Sequence, residues 1–345
     1  MVNGCAQMAR EAVPPEIARH APLAPMYAHR FPLGAAVEPR HLEGADGHLL
    51  AWHFNAVVAE NAMKPPRLQP AEGRFDFASA ERIVAFAEER GMKIRGHTLL
   101  WHEETPDWFW RTPDGAPATG EQVLERLRAH IHAVVGRYRG RVFAWDVVNE
   151  VVDPAVPGCL RKDRWLQVVG PRYVEAAFRF AHEADPGARL FVNDFETTQP
   201  LKRDCLLGLV RDLRARGVPV HGMGHQMHVD VDRPSAREVD ETLAMFAALG
   251  VDNHVTELDM SLGPAPRQAP GGEGALLARQ ATRYGELFRV FAARHDVKAV
   301  TLWGLSDADT WLIRGARQGS GDKPLLFDAN RQPKAAYREV AGAAR

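Results

Sequence analysis

From residue 33 onward, short apolar runs alternate with longer stretches whose apolar positions recur at helical spacing. The runs with strand character are Leu33–Val37, Phe54–Val58, Lys93–Leu99, Val142–Val148, Arg189–Val192, Val220–Met227, His254–Glu257 and Ala299–Trp303. Between them lie amphipathic segments at Ser79–Arg90, Glu121–Tyr138, Tyr173–Glu183, Lys202–Arg216, Ala236–Leu249 and Gly274–Arg294. A glycine follows several of these helical segments, in Arg90-Gly91, Arg216-Gly217 and Leu249-Gly250, where a left-handed residue ends a helix. Strict alternation with apolar strands predicts a parallel sheet covered by helices on its faces. Eight such units predict an α/β fold of one closed barrel, a single (β/α)8 TIM barrel spanning residues 31–345. No Gly-x-Gly-x-x-Gly follows the first strand, which argues against a dinucleotide-binding sheet. Residues 1–30 are rich in Pro and Ala, with prolines that interrupt helices, and read as an N-terminal arm. The Pro- and Gly-rich stretch Gly263–Gly274 reads as a flexible loop on the face where barrels carry their sites.

Composition narrows the partners. The 345 residues carry 43 basic and 44 acidic side chains, a net charge of −1, so no basic footprint exists for nucleic acid. No window is long and apolar enough for a membrane span, and the first residues are not followed by an apolar export-signal core. Such a chain reads as cytoplasmic if complete, and as secreted or periplasmic if a signal has been removed. Three cysteines, Cys5, Cys159 and Cys205, are sparse and odd in number, and free thiols are the expectation.

Chemistry collects at the C-terminal ends of the predicted strands, the face that holds the active site in barrel enzymes. Strand two ends in Glu60 and Asn61 with Lys64 behind them, and strand three in His97 with Trp101 and His102. Strand four ends in Trp145, Asp146, Asn149 and Glu150, and strand five in Asn193 and Asp194. Strand six ends in Gln226 and His228, strand seven in Glu257 and Asp259, and strand eight in Trp303 with Asp307 and Trp311. One such group has a structural explanation as a helix cap or core aromatic; seven on one face do not. Glu150 and Glu257 follow strands four and seven, across the barrel from each other. Cleavage of a glycosidic bond needs two carboxyl groups, one to protonate the leaving oxygen and one ionised to attack or to activate water. A chain Asp259–His228–Glu257 would hold the imidazole and keep the second carboxylate anionic. Asn149 can donate to a sugar hydroxyl, and the indoles of Trp303 and Trp311 offer flat faces to sugar rings.

With these motifs the sequence resembles the glycoside hydrolase family 10 endo-β-1,4-xylanases, from Phe31-Pro32-Leu33-Gly34 to Leu326-Phe327-Asp328. The matching runs are Glu60-Asn61-Ala62-Met63-Lys64, Gly96-His97-Thr98-Leu99-Leu100-Trp101-His102, Trp145-Asp146-Val147-Val148-Asn149-Glu150, Gln226-Met227-His228, Thr256-Glu257-Leu258-Asp259 and Trp303-Gly304. The resemblance implies a retaining mechanism with Glu150 as acid/base and Glu257 as nucleophile, and His228 and Asp259 beside the latter. It implies that Glu60, Asn61 and Lys64 bind the glycone side, with His97, Trp101, Asn149, Gln226, His228, Trp303 and Trp311 around the sugar at the cleavage point. It implies no cofactor and no metal, xylan or xylo-oligosaccharides as substrate, and a monomer as the acting unit.

Three departures stand out. Pro65-Pro66 follows Lys64 where the family usually has an aromatic residue, Glu104 stands where a Gln is common, and Phe195 replaces a Tyr in Asn193-Asp194-Phe195-Glu196. Two other functions fit part of this pattern. A metal-dependent barrel hydrolase is suggested by His97, His102, His225 and His228, but Val37-Glu38-Pro39-Arg40 occupies the place where such enzymes carry a His-x-His. A sugar-binding barrel without catalysis would typically have lost one carboxylate, and both are present.

Overall fold

The computed structural model describes residues 13–263, 271–314 and 318–345. Nine strands form, all in parallel pairs: β1 Leu33–Val37, β2 Ala56–Ala59, β3 Lys93–Gly96, β4 Ala144–Asn149, β5 Arg189–Asp194, β6 Gly222–His225, β7 His228–Asp230, β8 Asp252–Ser261 and β9 Val297–Leu302. Eight of them close into a barrel, β1 pairing with both β2 and β9, and β6 with β8. The sheet is buried on both faces, because helices cover its outside and side chains fill its inside. The (β/α)8 TIM barrel is the observed fold.

The remaining strand, β7, corrects the sequence expectation of one run over Val220–Met227. Met227 has φ +60°, so the β6 ladder stops at His225 and resumes at His228, which pairs in register with Asp259 of β8. β8 is correspondingly longer than the apolar run His254–Glu257. Register shifts lie between Asp146 and Val148 on β4, and between Val255 and Leu258 on β8. Such irregularities re-aim side chains at a barrel rim, and here they fall beside Asn149 and at Glu257.

The six expected helices form within two residues of their predicted ends, and Gly91, Gly217 and Gly250 adopt φ between +64° and +71° just past them. Side-chain capping boxes start two of them, Thr119 with Gln122 and Ser235 with Glu238. Helices at Gly44–His53, Arg164–Val169 and Ala335–Ala343 were not foreseen. Residues 264–270, most of the predicted Pro/Gly loop, lie outside the described residues, as does Cys5.

Two expectations are overturned. The prolines before residue 30 begin helices rather than break them, Pro15 standing at the first position of Pro15–Ala18, where its missing N–H costs nothing. Leu23, Ala24 and Tyr27 are buried, and the Tyr27 hydroxyl donates to the Val340 carbonyl at 2.5 Å, so this part of the arm is packed on the last helix. Cys159 and Cys205 are not free thiols but a disulfide, with Cα atoms 5.7 Å apart. The loop after β4 folds onto the helix after β5, a path that the adjacency of the two strands in a barrel permits but does not fix.

Among the described residues no helix is long and apolar enough to cross a membrane.

Candidate active site

The strand ends converge on one cleft, built on a charged floor inside the barrel. Arg95 of β3 points inward, 3% exposed, and forms a two-pronged contact with Asp146 of β4. Its remaining nitrogen lies 2.8 Å from Nδ1 of His254, which burial and Arg95 keep neutral. Burial alone would raise the Asp146 carboxyl, but Arg95 and His97 more than offset it and hold Asp146 below the ordinary carboxylate value. His97 meets Asp146 through Nδ1 at 3.0 Å, so Nε2 is left for another partner, with the Trp303 ring edge-on at 5.4 Å. Arg95 was missed in the sequence, where it shares the strand Lys93–Gly96 with the exposed Lys93 and nothing local marks it as the inward of the two charges.

One carboxylate of the pair is surrounded by donors. His228 lies between Glu257 Oε2 at 3.1 Å and Asp259 Oδ1 at 3.0 Å. Burial disfavours a charge on His228, yet the two carboxylates overcome it and push the imidazole up to about 10, so it is a cation at neutral pH. Burial likewise opposes ionisation of Glu257, but the His228 hydrogen bond, the nearby His97, the positive His228 and the Asn193 amide hold it below its usual value. Asn193 Nδ2 donates to Glu257 Oε1 at 2.7 Å and to Asn149 Oδ1 at 2.8 Å, while its own oxygen accepts from Thr256 at 2.7 Å. Gly224 makes room for this amide: a Cβ there would collide with Asn193 Oδ1. Asn193 was visible at a strand end but was not singled out as a site residue.

Glu150, φ +59°, turns its side chain off the end of β4. It receives neutral donors: the Trp101 indole N–H at 3.0 Å and the Gln226 amide at 3.1 Å. Gln226 also reaches Asn149 at 3.3 Å, and so joins the two carboxylates through Asn149 and Asn193. Trp311 donates to Asp259 at 2.7 Å and stands 5.0 Å from the His228 ring, 42% exposed at the cleft wall.

At one end of the cleft, Lys64 donates to Asn61 at 2.9 Å, Asn61 donates to Glu38 at 2.5 Å, and Lys64 lies 4.8 Å over the Trp101 ring. Burial, then the neighbouring Glu38, raises the Glu60 carboxyl, and Arg314 opposes this from 3.7 Å. Glu104 stands 4.0 Å from Lys64, and Pro65 begins the short helix that Lys64 precedes. Toward the other end, a cavity of about 540 Å³ runs from His228, Asp259 and Trp311 past Glu196 and Gln199 to Arg233.

The four histidines of the metal reading do not converge. His225 is buried against Thr197 and Asn253, while His97 and His228 are engaged by carboxylates. Among the described residues, His102, Glu103 and Glu150 are the one group of potential ligands that close together, and it holds a single histidine.

Two carboxyl groups in unlike surroundings, one beside a cation and one under neutral donors, facing a cleft lined by indoles and amides, suit acid-assisted displacement at a sugar carbon. The family model of glycosyl hydrolase family 10 matches residues 22–343. The chain belongs to glycosyl hydrolase family 10. This family 10 chain is 41% identical over 326 residues to endo-1,4-beta-xylanase B of Paenibacillus barcinonensis, covering 93% of this chain and 97% of that protein. It superposes on the crystal structure of xylanase B from Clostridium stercorarium F9 with a TM-score of 0.89 at 43% identity, over 93% of this chain and 99% of that one. It superposes equally, at 0.89 and 35% identity and with the same coverage, on a mutant solved in complex with xylotriose. The family 10 barrel carries this cleft at the C-terminal ends of its strands.

Proposed function

We propose that this family 10 glycosidase is a retaining endo-β-1,4-xylanase acting on xylan or xylo-oligosaccharides, with Glu257 as nucleophile and Glu150 as acid/base. The observation that supports it most is the asymmetry of the two carboxyl groups. Glu257 sits against the His228 cation, which Asp259 holds in place, whereas Glu150 meets an indole and an amide.

In the first step Glu257 attacks the anomeric carbon as the glycosidic C–O bond breaks, and the Glu150 proton passes to the departing oxygen. A glycosyl ester on Glu257 results. In the second step Glu150, now a carboxylate, takes a proton from water. The oxygen of that water attacks the same carbon and expels Glu257, so the configuration at that carbon is restored. His97, Asn149 and Gln226 bind hydroxyls of the sugar being cleaved, while Trp303 and Trp311 cover its faces. Glu60, Asn61 and Lys64 take the next sugar on the glycone side. A cleft narrowed by bulky indoles admits a pentose more readily than a hexose, whose hydroxymethyl group needs room.

An NMR time course of early hydrolysis products tests this reading. Products carrying the β-anomer first are expected; α-anomers first would mean inversion and would remove Glu257 from its role.

A further inference from the structure

A buried cation stands directly behind the loop that carries Glu150. Lys202 lies in the first turn of helix Pro200–Ala215 and is 3% exposed. Both circumstances oppose a positive charge, since burial strips its water and the positive end of the helix dipole repels it. Three contacts offset this. The ammonium is 2.8 Å from Asp194 Oδ1, donates to the Val152 carbonyl at 2.7 Å, and lies 4.1 Å over the Phe195 ring. Asp194 in turn accepts the Val152 N–H through its other oxygen at 3.3 Å. One buried ion pair thus holds both backbone groups of the residue two places after Glu150. Burial pushes the Asp194 carboxyl up to about 7 against the pull of Lys202, and an oxygen remains for the Val152 N–H in either protonation state.

Glu150 adopts φ +59°, a conformation that costs a residue with a side chain and persists only where neighbours over-determine it. Its N–H donates to the Asn193 carbonyl at 2.9 Å, and the Arg161 side chain donates to its carbonyl at 2.7 Å. The Cys159–Cys205 disulfide ties the same loop to the same helix, three residues after Lys202. Helix Pro200–Ala215 therefore grips the Glu150 loop near its start, through Lys202, and again at Cys159.

We propose that Lys202, acting with Asp194 through the Val152 backbone, is a positioning residue that aims the Glu150 carboxyl at the oxygen it protonates. The proposal rests on the acid/base reading of Glu150. Loosening the grip then affects proton delivery while leaving attack by Glu257 in place, because Glu257 is supported from β5, β7 and β8 by other residues.

Leaving-group dependence separates the two. A 2,4-dinitrophenyl xylobioside departs with little protonation, whereas a phenyl xylobioside needs it. Measured per active site, counted by the dinitrophenolate burst from a 2-fluoro analogue, kcat/KM of Lys202→Met is expected to fall about tenfold or more on the phenyl substrate and no more than about twofold on the dinitrophenyl one. The double variant Asp194→Asn/Lys202→Met, which removes both buried charges and so avoids an unpaired one, should show the same split. Equal losses on both substrates, or no loss on either, would overturn the positioning role. Glu150→Ala serves as the reference. Its indifference to leaving group would show that the acid/base reading itself has failed, whatever the Lys202 variants do.

Discussion

Replacing Asp259 by Asn removes the charge that holds His228 protonated while keeping the size of the side chain. Asp259 is 1% exposed and accepts from His228 at 3.0 Å and from Trp311 at 2.7 Å, so its charge is screened little by solvent. In the native protein the imidazole is raised from 6.5 to about 10, with Asp259 the largest favourable cause. At about 1.4 kcal/mol per unit, that rise corresponds to at most about 5 kcal/mol of coupling among His228, Asp259 and Glu257. Because the folded value lies above the unfolded one, this stabilisation is fully present below pH 6.5 and is lost as pH rises through about 10. In Asp259→Asn the histidine is neutral near pH 7: the Trp311 N–H donates to the amide oxygen, the amide NH2 faces His228 Nδ1, and Nε2–H still donates to Glu257 but without a positive charge behind it. Glu257 then holds a proton to higher pH, which moves the acid limb of kcat/KM upward by about one unit and lowers the rate on that limb by up to about tenfold, with little change above pH 7. Melting temperature against pH from 5 to 10, together with the pH–rate profile on an aryl xylobioside, reads both effects. The variant should melt lower at pH 6 and lose its alkaline decline. A variant whose melting curve and acid limb track the native protein would refute the coupling.

Asn193→Ala removes the amide that supports Glu257, Asn149 and Thr256 together, and should lower kcat about tenfold or more, with a smaller change in KM. A KM effect alone, measured on xylotriose, would mean that Asn193 serves binding and not the alignment of Glu257. Reducing the Cys159–Cys205 bond frees a loop closed over a sequence separation of 46 and should lower stability by about 2–4 kcal/mol. Chemical denaturation with and without reductant measures this, and identical midpoints would show that the bond adds nothing. If Pro65, Glu104 and Phe195 leave distal sugars with fewer stacks or hydrogen bonds, each loss removes about 1 kcal/mol from those sugars. Accordingly kcat/KM should level off early from xylotriose to xylohexaose, and a steep rise through xylohexaose would contradict it.

The barrel was legible because alternation of short apolar runs with period-3.6 segments is a local property, and so were the strand-end residues that belong to short motifs. What escaped depends on neighbours distant in sequence. Val220–Met227 looks like one strand until Met227 is seen to turn its backbone for His228 to meet Asp259. Arg95 reads as an awkward charge until Asp146 is placed beside it. The Cys159–Cys205 bond and the Lys202 contact with Val152 both depend on the path of the loop after β4, which strand adjacency alone does not fix. Tyr27 shows the same for the N-terminal stretch, whose prolines signal a broken chain while its apolar residues pack on the last helix.

The central claim, that Glu257 is the residue that bonds to the sugar, is tested most directly by trapping the ester. Incubation with 2,4-dinitrophenyl 2-deoxy-2-fluoro-β-xylobioside, followed by proteolysis and mass spectrometry, should place one added fluoroxylobiosyl group on Glu257, with release of one equivalent of dinitrophenolate. A label on Glu150 or another residue, or catalytic turnover of ordinary substrate with no ester ever trapped, would contradict the account.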